Sequence, residues 1–437
     1  MPERRVAITG LGAVTAAGIG AEVLWEALLQ GRSCLRTIGL FDAGTFPCTV
    51  AGQVEDFSPR DFVPKSYRKA TKVMARDIQL AVAAADQAVK DAGIVTRAED
   101  GNNMTYAPGR LGCNIGAGLI NPDLTELGQA ANTAVADGTF DLRLWGEQGM
   151  NNLTPLWLLK YLPNMLSCHV TIIHGCEGAS NALTCGDASG HMSIGEAGRW
   201  IQRGTADAAI AGGAESKLNP MGLLRQSLLK RLCTGRNDDP AEACRPFDTD
   251  HDGTVIGEGG GLVILEEMDS AVNRGARIYA ELVGFGAACD PGGVDITRPT
   301  VGSLDVAVGN ALKDAGIGPD DVGLIVAHGT GVAGEDAAEA EAWAAALGQA
   351  VGSVPAVALT GTVGSLYAGA GGVETIVATM ALHTQTVPPT VNFTAPSDGC
   401  SLNLGSQQRS GPFDYAVSGA FSVGGQSGAV VLKTYQP

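Results

Sequence analysis

The sequence predicts an α/β protein built from a duplicated α/β unit. Short apolar segments of strand length alternate along the chain with segments of helical periodicity, which is typical of largely covered sheets between helices. Hydrophobic residues make up 45% of the 437 residues, so the chain can bury a large core. The pentapeptide KDAGI ends a helical pattern at residues 90–94 and again at residues 313–317, and a strand and a glycine turn follow each copy. The two halves therefore repeat one order of elements, and we expect them to pack as one body.

The individual elements follow from local composition. Helical spacing of apolar residues predicts a helix over residues 74–94, and residues 95–109 are predicted as a loop. No linker rich in proline, serine or charge divides the chain, and we predict an N-terminal half of residues 1–268 and a C-terminal half of residues 269–437. Apolar runs bounded by glycine or acidic residues predict strands in RRVAITGLGAV (4–14), RLGCNIGAG (110–118), ADAAIAGGAE (206–215), GLVILEE (261–267), YAELVGFG (279–286), GLIVAHGTG (323–331) and DYAVSGAFSVGG (414–425).

Composition and short motifs exclude several classes of function. A net charge of −17 and a pI near 4.7 disfavour nucleic acid as a partner. No apolar run approaches the roughly 20 residues of a membrane span, and the N-terminus lacks the pattern of a signal peptide, so we expect a cytoplasmic protein without a membrane span. The ten cysteines form no CxxC pair, which argues against structural zinc and favours reduced, mostly buried thiols.

The glycine-rich stretch GLGAVTAAG, residues 10–18, superficially matches a dinucleotide-binding loop. However, Thr15 replaces the third glycine of that fingerprint, and no acidic residue ends a second strand about 20 residues further on. We therefore interpret the stretch as a structural turn, and we expect neither a cofactor nor a metal.

A cationic segment precedes the predicted helix. Its charges fall on one face at helical spacing, opposite an apolar face, and Asp77 is the only acid among them. Such a face is either simply solvated or a docking site for an acidic partner, and the excess of cations in an acidic protein makes docking at least as plausible. The cations are Lys65, Arg68, Lys69, Lys72 and Arg76.

The most informative stretch is ALTCGDASGHMSIGEAGRW, residues 182–200. A short apolar strand runs into a glycine-rich turn and then an amphipathic helix, an arrangement that often presents a nucleophile at the helix N-terminus. Here the turn carries Asp187, and Cys185 lies two residues earlier, within the predicted strand. A second candidate, His328, ends an apolar strand at a glycine turn, which is a common position for a ligand site in α/β folds. Asp336 or Glu339 on the following helix could orient it.

Taken together, these stretches resemble the β-ketoacyl-acyl carrier protein synthases of the elongating, type II kind, over nearly the whole chain. The resemblance also covers NMLSCHVTIIHGCEGAS, GRNDDPAEACRPFDTDHDGTVIGEGGG, LTGTVGSLYAGAGG and TQTVPPTVNF. It implies a thiolase-like fold, in which a duplicated α/β unit forms five layers, α/β/α/β/α. It also implies a place in fatty acid or polyketide synthesis.

The resemblance assigns the family's catalytic positions to four residues of this chain. The nucleophilic cysteine falls on Asp187 and the first histidine on His328, within HGTG. The lysine falls on Thr360 and the second histidine on Ser365. Only His328 keeps the family's side chain, so we expect a degenerate active site.

Further positions follow from the same resemblance. Asp336 and Glu339 match the acidic pair that supports the first histidine. The backbone amides of Asp187 and Val423 would form the oxyanion hole. Val423 stands where the family usually has a gating phenylalanine, whereas Phe421 of the pocket is retained.

A carboxylate is a poor nucleophile toward a thioester, so condensation through an acyl-enzyme is improbable. Three interpretations stay open. In the first, Asp187 only caps the helix, and the chain is a chain-length-factor-like partner of an active synthase. In the second, Asp187 and His328 act together in hydrolysis, acyl transfer or dehydration of acyl-carrier thioesters. In the third, the chain is a noncatalytic module that binds carrier protein or acyl chains.

The resemblance also predicts the partners. We expect acyl carrier protein as a partner and either a homodimer or a heterodimer with a Cys-bearing ketosynthase, with residues 174–184 near the interface. The residues expected to bind the carrier protein are Lys65, Arg68, Lys69, Lys72 and Arg231.

Overall fold

The computed structural model describes residues 4–294 and 303–436. The strands within these residues are β1 (Val6–Thr15), β2 (Gly18–Ile19), β3 (Arg36–Thr37), β4 (Val50–Gly52), β5 (Leu111–Gly116), β6 (Val135–Ala136), β7 (Thr139–Phe140), β8 (Ser180–Leu183), β9 (Ala208–Ser216), β10 (Ile256–Glu267), β11 (Ala280–Cys289), β12 (Leu324–Ala327), β13 (Ala356–Ala358), β14 (Thr386–Val387), β15 (Arg409–Ser410), β16 (Tyr415–Phe421) and β17 (Gln426–Thr434). The α-helices are α1 (Ala21–Leu29), α2 (Arg76–Ala92), α3 (Arg97–Asp100), α4 (Leu124–Thr133), α5 (Leu142–Glu147), α6 (Met165–His174), α7 (Ser189–Gln202), α8 (Pro220–Leu228), α9 (Met268–Asn273), α10 (Leu304–Ala315), α11 (Ala333–Leu347), α12 (Thr360–Val363) and α13 (Ala370–Thr384).

The main sheet consists of two runs of strands with the same topology. One run has the order β8-β5-β9-β10-β1, and the other has the order β13-β12-β16-β17-β11. In each run the first three strands pair in parallel and the remaining pairs are antiparallel. A short antiparallel pairing between β1 and β11 joins the runs. This repetition confirms the duplicated α/β unit.

The helices arrange these two runs into five layers. Helices α7 and α13 contact each other and lie between the runs, since α7 packs on β5, β9 and β17, and α13 packs on β9, β10 and β16. Helices α2 and α6 cover the outer face of the first run, whereas α10 and α11 cover the second. The central core and the two outer cores are separate apolar clusters. The α/β/α/β/α order is therefore confirmed, and it follows from burial of both faces of each run.

The sequence predicts a turn in the glycine-rich stretch of residues 10–18, but most of this stretch belongs to the first strand. Strand β1 continues to Thr15, and its glycines lie directly under helix α2. A Cβ atom on Gly10 would lie 2.3 Å from the carbonyl oxygen of Ala88, and one on Gly12 would lie 2.0 Å from that of Ala84. These glycines permit close packing of helix on strand rather than a change of chain direction.

The cationic segment is not a continuous helix. Two short 3-10 turns, Lys65–Tyr67 and Ala70–Val73, precede an extended Met74, and α2 begins at Arg76. Arg76 turns inward, where its guanidinium donates to the buried carboxylate of Glu258 at 2.7 and 2.9 Å. Satisfying that buried charge outweighs continuation of an exposed helical face.

Two other sequence predictions meet different outcomes. Residues 95–109 are not entirely loop, because they include the single-turn helix α3. The division at residues 268 and 269 falls at the start of α9, between two strands of one continuous sheet, and it stays a prediction. Within the described residues, no helix combines the length and apolarity that crossing a membrane requires.

Candidate active site

The turn before α7 presents Asp187 at the helix N-terminus, as the sequence predicts. Strand β8 ends at Leu183, a 3-10 turn covers Gly186–Ala188, and α7 follows at once. Gly186 has a φ of 57° and lies against Ser422, where a Cβ atom would be 2.7 Å from the serine Cβ. A left-handed backbone and this close approach both favour glycine at the position.

Cys185 lies just after strand β8 rather than within it, which corrects the sequence prediction. Its backbone amide donates to the hydroxyl of Ser189 at 2.8 Å. Burial raises the pKa of its thiol above the ordinary value, and Cys289 adds to the rise. The thiolate form that a nucleophile needs is therefore disfavoured.

Asp187 does not cap helix α7, so the capping interpretation is wrong. The residue at the cap position is Ala188, and no side chain accepts a hydrogen bond there. Asp187 Oδ1 is buried and has no hydrogen-bond partner within the described residues. Instead it faces the imidazole of His328, with 3.8 Å between Oδ1 and Nε2.

His328 follows strand β12 and is held by a carboxylate that the sequence analysis missed. Its Nδ1 lies 2.9 Å from Oε1 of Glu374, which projects from α13, and its ring packs edge-on against Phe421 at 5.6 Å. Burial lowers the pKa of His328, but the carboxylates of Glu374 and Asp187 outweigh that effect and raise it well above the ordinary value. The imidazole is therefore a cation between two carboxylates. A charged residue inside the apolar helix sequence GGVETIVATM was the available signal for Glu374.

His191 of α7 completes the buried array, and it also escaped the sequence analysis. Its Nε2 lies 2.7 Å from the hydroxyl of Ser418 and 3.5 Å from Oε2 of Glu374. Burial and the positive charge of His328 lower the pKa of His191 to about 3. His191 is therefore the neutral imidazole of the two.

Asp336 and Glu339 hold the backbone of the HGTG loop rather than the imidazole. Glu339 accepts hydrogen bonds from the amides of His328 and Gly329, both at 2.8 Å. Asp336 accepts from the amide of Thr330 at 2.8 Å and from that of Gly331 at 3.1 Å. The expectation that one of these acids orients the imidazole is therefore wrong. They fix the loop from which His328 projects.

The positions predicted to replace the family's lysine and second histidine both carry hydroxyl groups. Thr360 donates its hydroxyl to the carbonyl of Gly329 at 2.5 Å, which ties helix α12 to the same loop. Ser365 is buried, and its hydroxyl has no partner within the described residues. Neither hydroxyl can carry a positive charge as a lysine or a histidine side chain can.

The predicted oxyanion position lies in the turn after strand β16. Phe421 ends that strand, and the turn closes through the amide of Ser422, which donates to the carbonyl of Gln426 at 2.7 Å. Val423 is half-buried in this turn. Ser422 of the same turn contacts Gly186, which begins the turn Gly186–Ala188 that carries Asp187 and that we name the elbow. The backbone of Val423 is therefore near the turn that carries Asp187, and its oxyanion role stays a prediction.

Arg231 does not belong to a surface patch, which corrects the sequence prediction. Its side chain is 9% exposed, and its guanidinium donates two hydrogen bonds of 2.7 Å to Glu335. Burial lowers the pKa of Arg231, but Glu335, Tyr367 and Asp187 outweigh burial and raise it overall. Arg231 thus lies inside the protein near Asp187.

The other predicted cations remain at the surface. The cationic segment, now Lys65, Arg68, Lys69 and Lys72, is exposed, and none of its members forms an ion pair with a described residue. Tyr67 anchors the segment, since its hydroxyl lies 2.8 Å from Nδ1 of His169 on α6. No cluster of His, Cys, Asp and Glu in the described ranges has the geometry of a metal site.

Comparisons with known proteins identify the family of the chain. The family model described as "Beta-ketoacyl synthase, N-terminal domain" matches residues 3–271, and "Beta-ketoacyl synthase, C-terminal domain" matches residues 279–394. The 3-oxoacyl-[acyl-carrier-protein] synthase 2 of Synechocystis sp. is 34% identical over 437 residues, which cover 100% of this chain and 99% of the relative. The corresponding synthase of Vibrio harveyi is 35% identical over 437 residues, 99% of each chain.

Solved structures extend the similarity to related assemblies. The ishigamide ketosynthase/chain length factor superposes with a TM-score of 0.83 at 26% identity, covering 99% of this chain and 100% of the other. A β-ketoacyl synthase from Burkholderia phymatum gives 0.84 at 29% identity, with the same coverage. A type II polyketide synthase ketosynthase, solved with its acyl-carrier protein and bound to the hexaketide, gives 0.81 at 25% identity, again covering 99% and 100%. The chain therefore belongs to the β-ketoacyl synthase family of fatty acid and polyketide synthesis, with the thiolase-like fold of that family.

Proposed function

We propose that this chain is a noncondensing, chain-length-factor-like subunit that acts in the cytoplasm with a Cys-bearing ketosynthase. The observation that carries the proposal is the charge arrangement at the elbow. Asp187, to which the resemblance assigns the nucleophile position, faces His328, whose other nitrogen is 2.9 Å from Glu374. The two carboxylates favour the protonated imidazole. An imidazolium that is neutralised from both sides is a poor general base, and a carboxylate is a poor thioester nucleophile.

The proposal is supported by the chemistry that the site lacks. Thioester exchange needs a soft thiolate, and the neighbouring thiol, Cys185, has a raised pKa. Decarboxylation of a malonyl group needs hydrogen-bond donors that stabilise the negative charge developing on the thioester oxygen. At this site Asp187 adds negative charge, and Ser365 supplies only a hydroxyl in place of the family's second histidine.

An exposed apolar surface supports assembly with a partner subunit. Strand β8 is an edge strand that is partly exposed, and Ile172 on the adjacent α6 is 52% exposed. Exposed apolar side chains are also frequent in the segment between β5 and α6. They are Leu119, Leu124, Val135, Phe140, Leu142, Met150, Leu156, Leu158 and Leu159. We name this the apolar face and infer that a second ketosynthase-type subunit covers it.

The cationic segment supports binding of acyl carrier protein. Its four cations stand on a protein of net charge −17 and keep their charge free of internal ion pairs with described residues. An acidic carrier would meet them with complementary charge, which speeds encounter and is weakened by salt. Carrier binding by Lys65→Glu with Arg68→Glu should fall at low salt, whereas Lys313→Glu on the exposed face of α10 is the matched control. Unchanged binding by the double variant contradicts the docking assignment.

The assembly is tested by co-purification with Cys-bearing ketosynthases of the same source. We expect one of them to form a stable complex with this chain and to extend carrier-bound chains only within it. Intact-mass analysis of malonyl- and acyl-loaded carrier protein, incubated with this chain alone, should show no change. Turnover by the chain alone overturns the proposal.

The contact between Asp187 and His328 favours a second candidate function. Oδ1 and Nε2 face each other at 3.8 Å, and neither atom has a partner within the described residues. Such a pair could act on a carrier-bound acyl chain by hydrolysis, acyl transfer or dehydration. The same mass experiment separates the two candidates, because a mass change that disappears in Asp187→Asn identifies an enzyme and names its reaction. Asp187→Cys shows whether restoring the thiol restores acylation.

A further inference from the structure

A second polar residue, Tyr367, lies beside the elbow, and the function proposed above leaves it unused. Tyr367 is 5% exposed and adopts a φ of 51°, a left-handed backbone that a residue with a Cβ rarely adopts. The turn that it begins, Tyr367–Gly369, packs directly against the turn Gly186–Ala188. The amide of the next residue, Ala368, donates to the buried carboxylate of Glu215 at 2.9 Å, which holds the turn in place.

The hydroxyl of Tyr367 is buried and has no hydrogen-bond partner within the described residues. Burial raises the pKa of this phenol, and the nearby carboxylate of Asp187 adds to the rise, while Arg231 opposes it. Tyr367 is therefore a neutral donor and acceptor close to Asp187. A phenol kept in a rarely adopted backbone conformation and left without a partner indicates a group reserved for a ligand.

Other unpartnered polar atoms belong to the same neighbourhood. Carboxylate oxygens offer acceptors, whereas the hydroxyls and the cationic imidazole offer donors. Leaving so many buried polar atoms unpaired is unfavourable unless something else pairs with them. Within the described residues these atoms are Asp187 Oδ1, Glu374 Oε2, His328 Nε2, Ser365 Oγ and the Tyr367 hydroxyl.

The charges around these atoms favour an uncharged ligand. Arg231 is paired with Glu335, and Lys217 is paired with Glu215. His328 lies between Asp187 and Glu374. An added anion would therefore find no unpaired cation among these groups, and a neutral group that both donates and accepts hydrogen bonds is favoured. The charged groups that act on Tyr367 or His328 are Asp187, Glu215, Glu335, Glu339, Glu374, Arg231 and Lys217.

We propose that Asp187, His328 and Tyr367 form a binding site for the hydroxyl group of an uncharged hydroxyacyl chain. Asp187 accepts the hydroxyl proton of the ligand, and Tyr367 and the His328 imidazolium donate to its oxygen. A hydroxyl is the smallest neutral group that does both. The inference rests on the proposed function in one respect, because a carrier-bound acyl chain must reach the elbow. The hydroxyl then lies close to the thioester, since Asp187 occupies the position of the acyl attachment.

The test uses pantetheine linked through an amide to a 3-hydroxyhexanoyl, a 3-oxohexanoyl or a hexanoyl group. Binding of each probe to the purified chain, in the oligomeric state it adopts, is measured by isothermal titration calorimetry. We expect the hydroxy probe to bind about tenfold more tightly than the hexanoyl probe, which corresponds to one or two buried hydrogen bonds. The oxo probe, which only accepts, should fall between them.

Variants assign the preference to its residues. Tyr367→Phe should reduce the hydroxy preference to about twofold or less, because it removes only the hydroxyl. Tyr279→Phe is the matched control, since Tyr279 is equally buried but donates to Asp91 far from the elbow. If Tyr367→Phe fails to fold, Asp187→Ala supplies the second measurement, and it too should lose the preference.

The outcomes separate this inference from the proposed function. Equal binding of the three probes by the wild-type chain, or no binding of any, overturns the inference, and so does a preference that survives both variants. A hydroxy preference in a chain that forms no ketosynthase complex overturns the proposed function and leaves the inference standing. A chain that forms the ketosynthase complex but shows no hydroxy preference overturns the inference and leaves the proposed function standing.

Discussion

Replacing Glu374 with glutamine tests whether the elbow is organised around a cationic His328. The carboxylate of Glu374 lies 2.9 Å from His328 Nδ1, and both side chains are almost completely buried, at 4% and 1% exposure. Glutamine keeps the size and one hydrogen-bonding oxygen but removes the charge. His328 would then depend on Asp187, 3.8 Å from its other nitrogen, for compensation.

Two lines of reasoning give a similar magnitude. Removing one member of a buried ion pair costs roughly 3–5 kcal/mol, because the remaining charge stays in a medium of low polarity. The rise of the His328 pKa from 6.5 to about 10 corresponds to roughly 5 kcal/mol in total. Glu374 contributes the largest share of this rise, and Asp187 and Glu339 contribute the rest. We therefore expect Glu374→Gln to lower the free energy of unfolding by about 3–5 kcal/mol near neutral pH.

The dependence on pH has a definite sign. The folded-state pKa of His328 lies above the unfolded value of 6.5, so its stabilising contribution is complete below pH 6.5 and is lost as the pH rises toward about 10. The difference in stability between wild type and Glu374→Gln should therefore shrink across that range. Urea denaturation at several pH values measures it.

NMR of histidine labelled at Cε1 gives the direct measurement, since the chain has only six histidines. In the wild type we expect one imidazole to remain protonated above pH 8, and in Glu374→Gln the same resonance should titrate at lower pH. Glu177→Gln is the control, because its ion pair with Arg97 is about half exposed and should contribute less than about 1 kcal/mol. A His328 resonance that titrates near pH 6.5 in the wild type, or that Glu374→Gln leaves unmoved, refutes the reasoning.

Three further predictions address packing, charge and assembly. Gly12→Ala should destabilise the chain by about 2–3 kcal/mol in chemical denaturation, because its Cβ would lie 2.0 Å from the carbonyl oxygen of Ala84. Gly309→Ala on α10 is the control and should be neutral or stabilising, because a Cβ there would contact nothing outside its own helix within 4 Å. Glu335→Gln should lower the free energy of unfolding by about 3–5 kcal/mol in chemical denaturation, because it leaves the buried charge of Arg231 unpaired. Arg231→Met combined with Glu335→Leu should recover most of that stability. An equal loss of stability in the single and the double variant contradicts the buried ion pair. Leu142→Asp with Leu158→Asp should abolish partner assembly in light-scattering measurements, since these side chains are 78% and 58% exposed on the apolar face. Val306→Asp, at a position 50% exposed on α10, is the control and should leave assembly intact. A double variant that still assembles rules out this face as the interface.

Local patterns determined much of the fold. The alternation of apolar strands with helices, and the repeated KDAGI segments, predict a duplicated α/β unit, and the two strand runs have the same order and directions. The elbow was also predictable, because a strand, a glycine turn and a helix N-terminus are neighbours in the sequence. Asp187 therefore lies on the turn where the sequence pattern predicts it.

The wrong predictions came from local sequence patterns that are compatible with two different local structures. Glycines suit both a turn and a strand beneath a helix, and only the approach of α2 to β1 decides between them. Helical spacing predicts that the five cations share one face, yet Arg76 turns inward to Glu258 and the preceding residues form short 3-10 turns. In both cases a contact distant in sequence outweighed the local preference.

The sequence by itself determined the order of the elements and the replacement of the nucleophile by Asp187. The tertiary structure alone decided what Asp187 faces. Glu374 lies 46 residues after His328, yet α13 brings the two side chains together, and Tyr367 and Arg231 reach the same neighbourhood from separate segments. The physical reason is that secondary structure follows periodicity over a few neighbouring residues, whereas a buried charge must find its compensating partner wherever the fold places one.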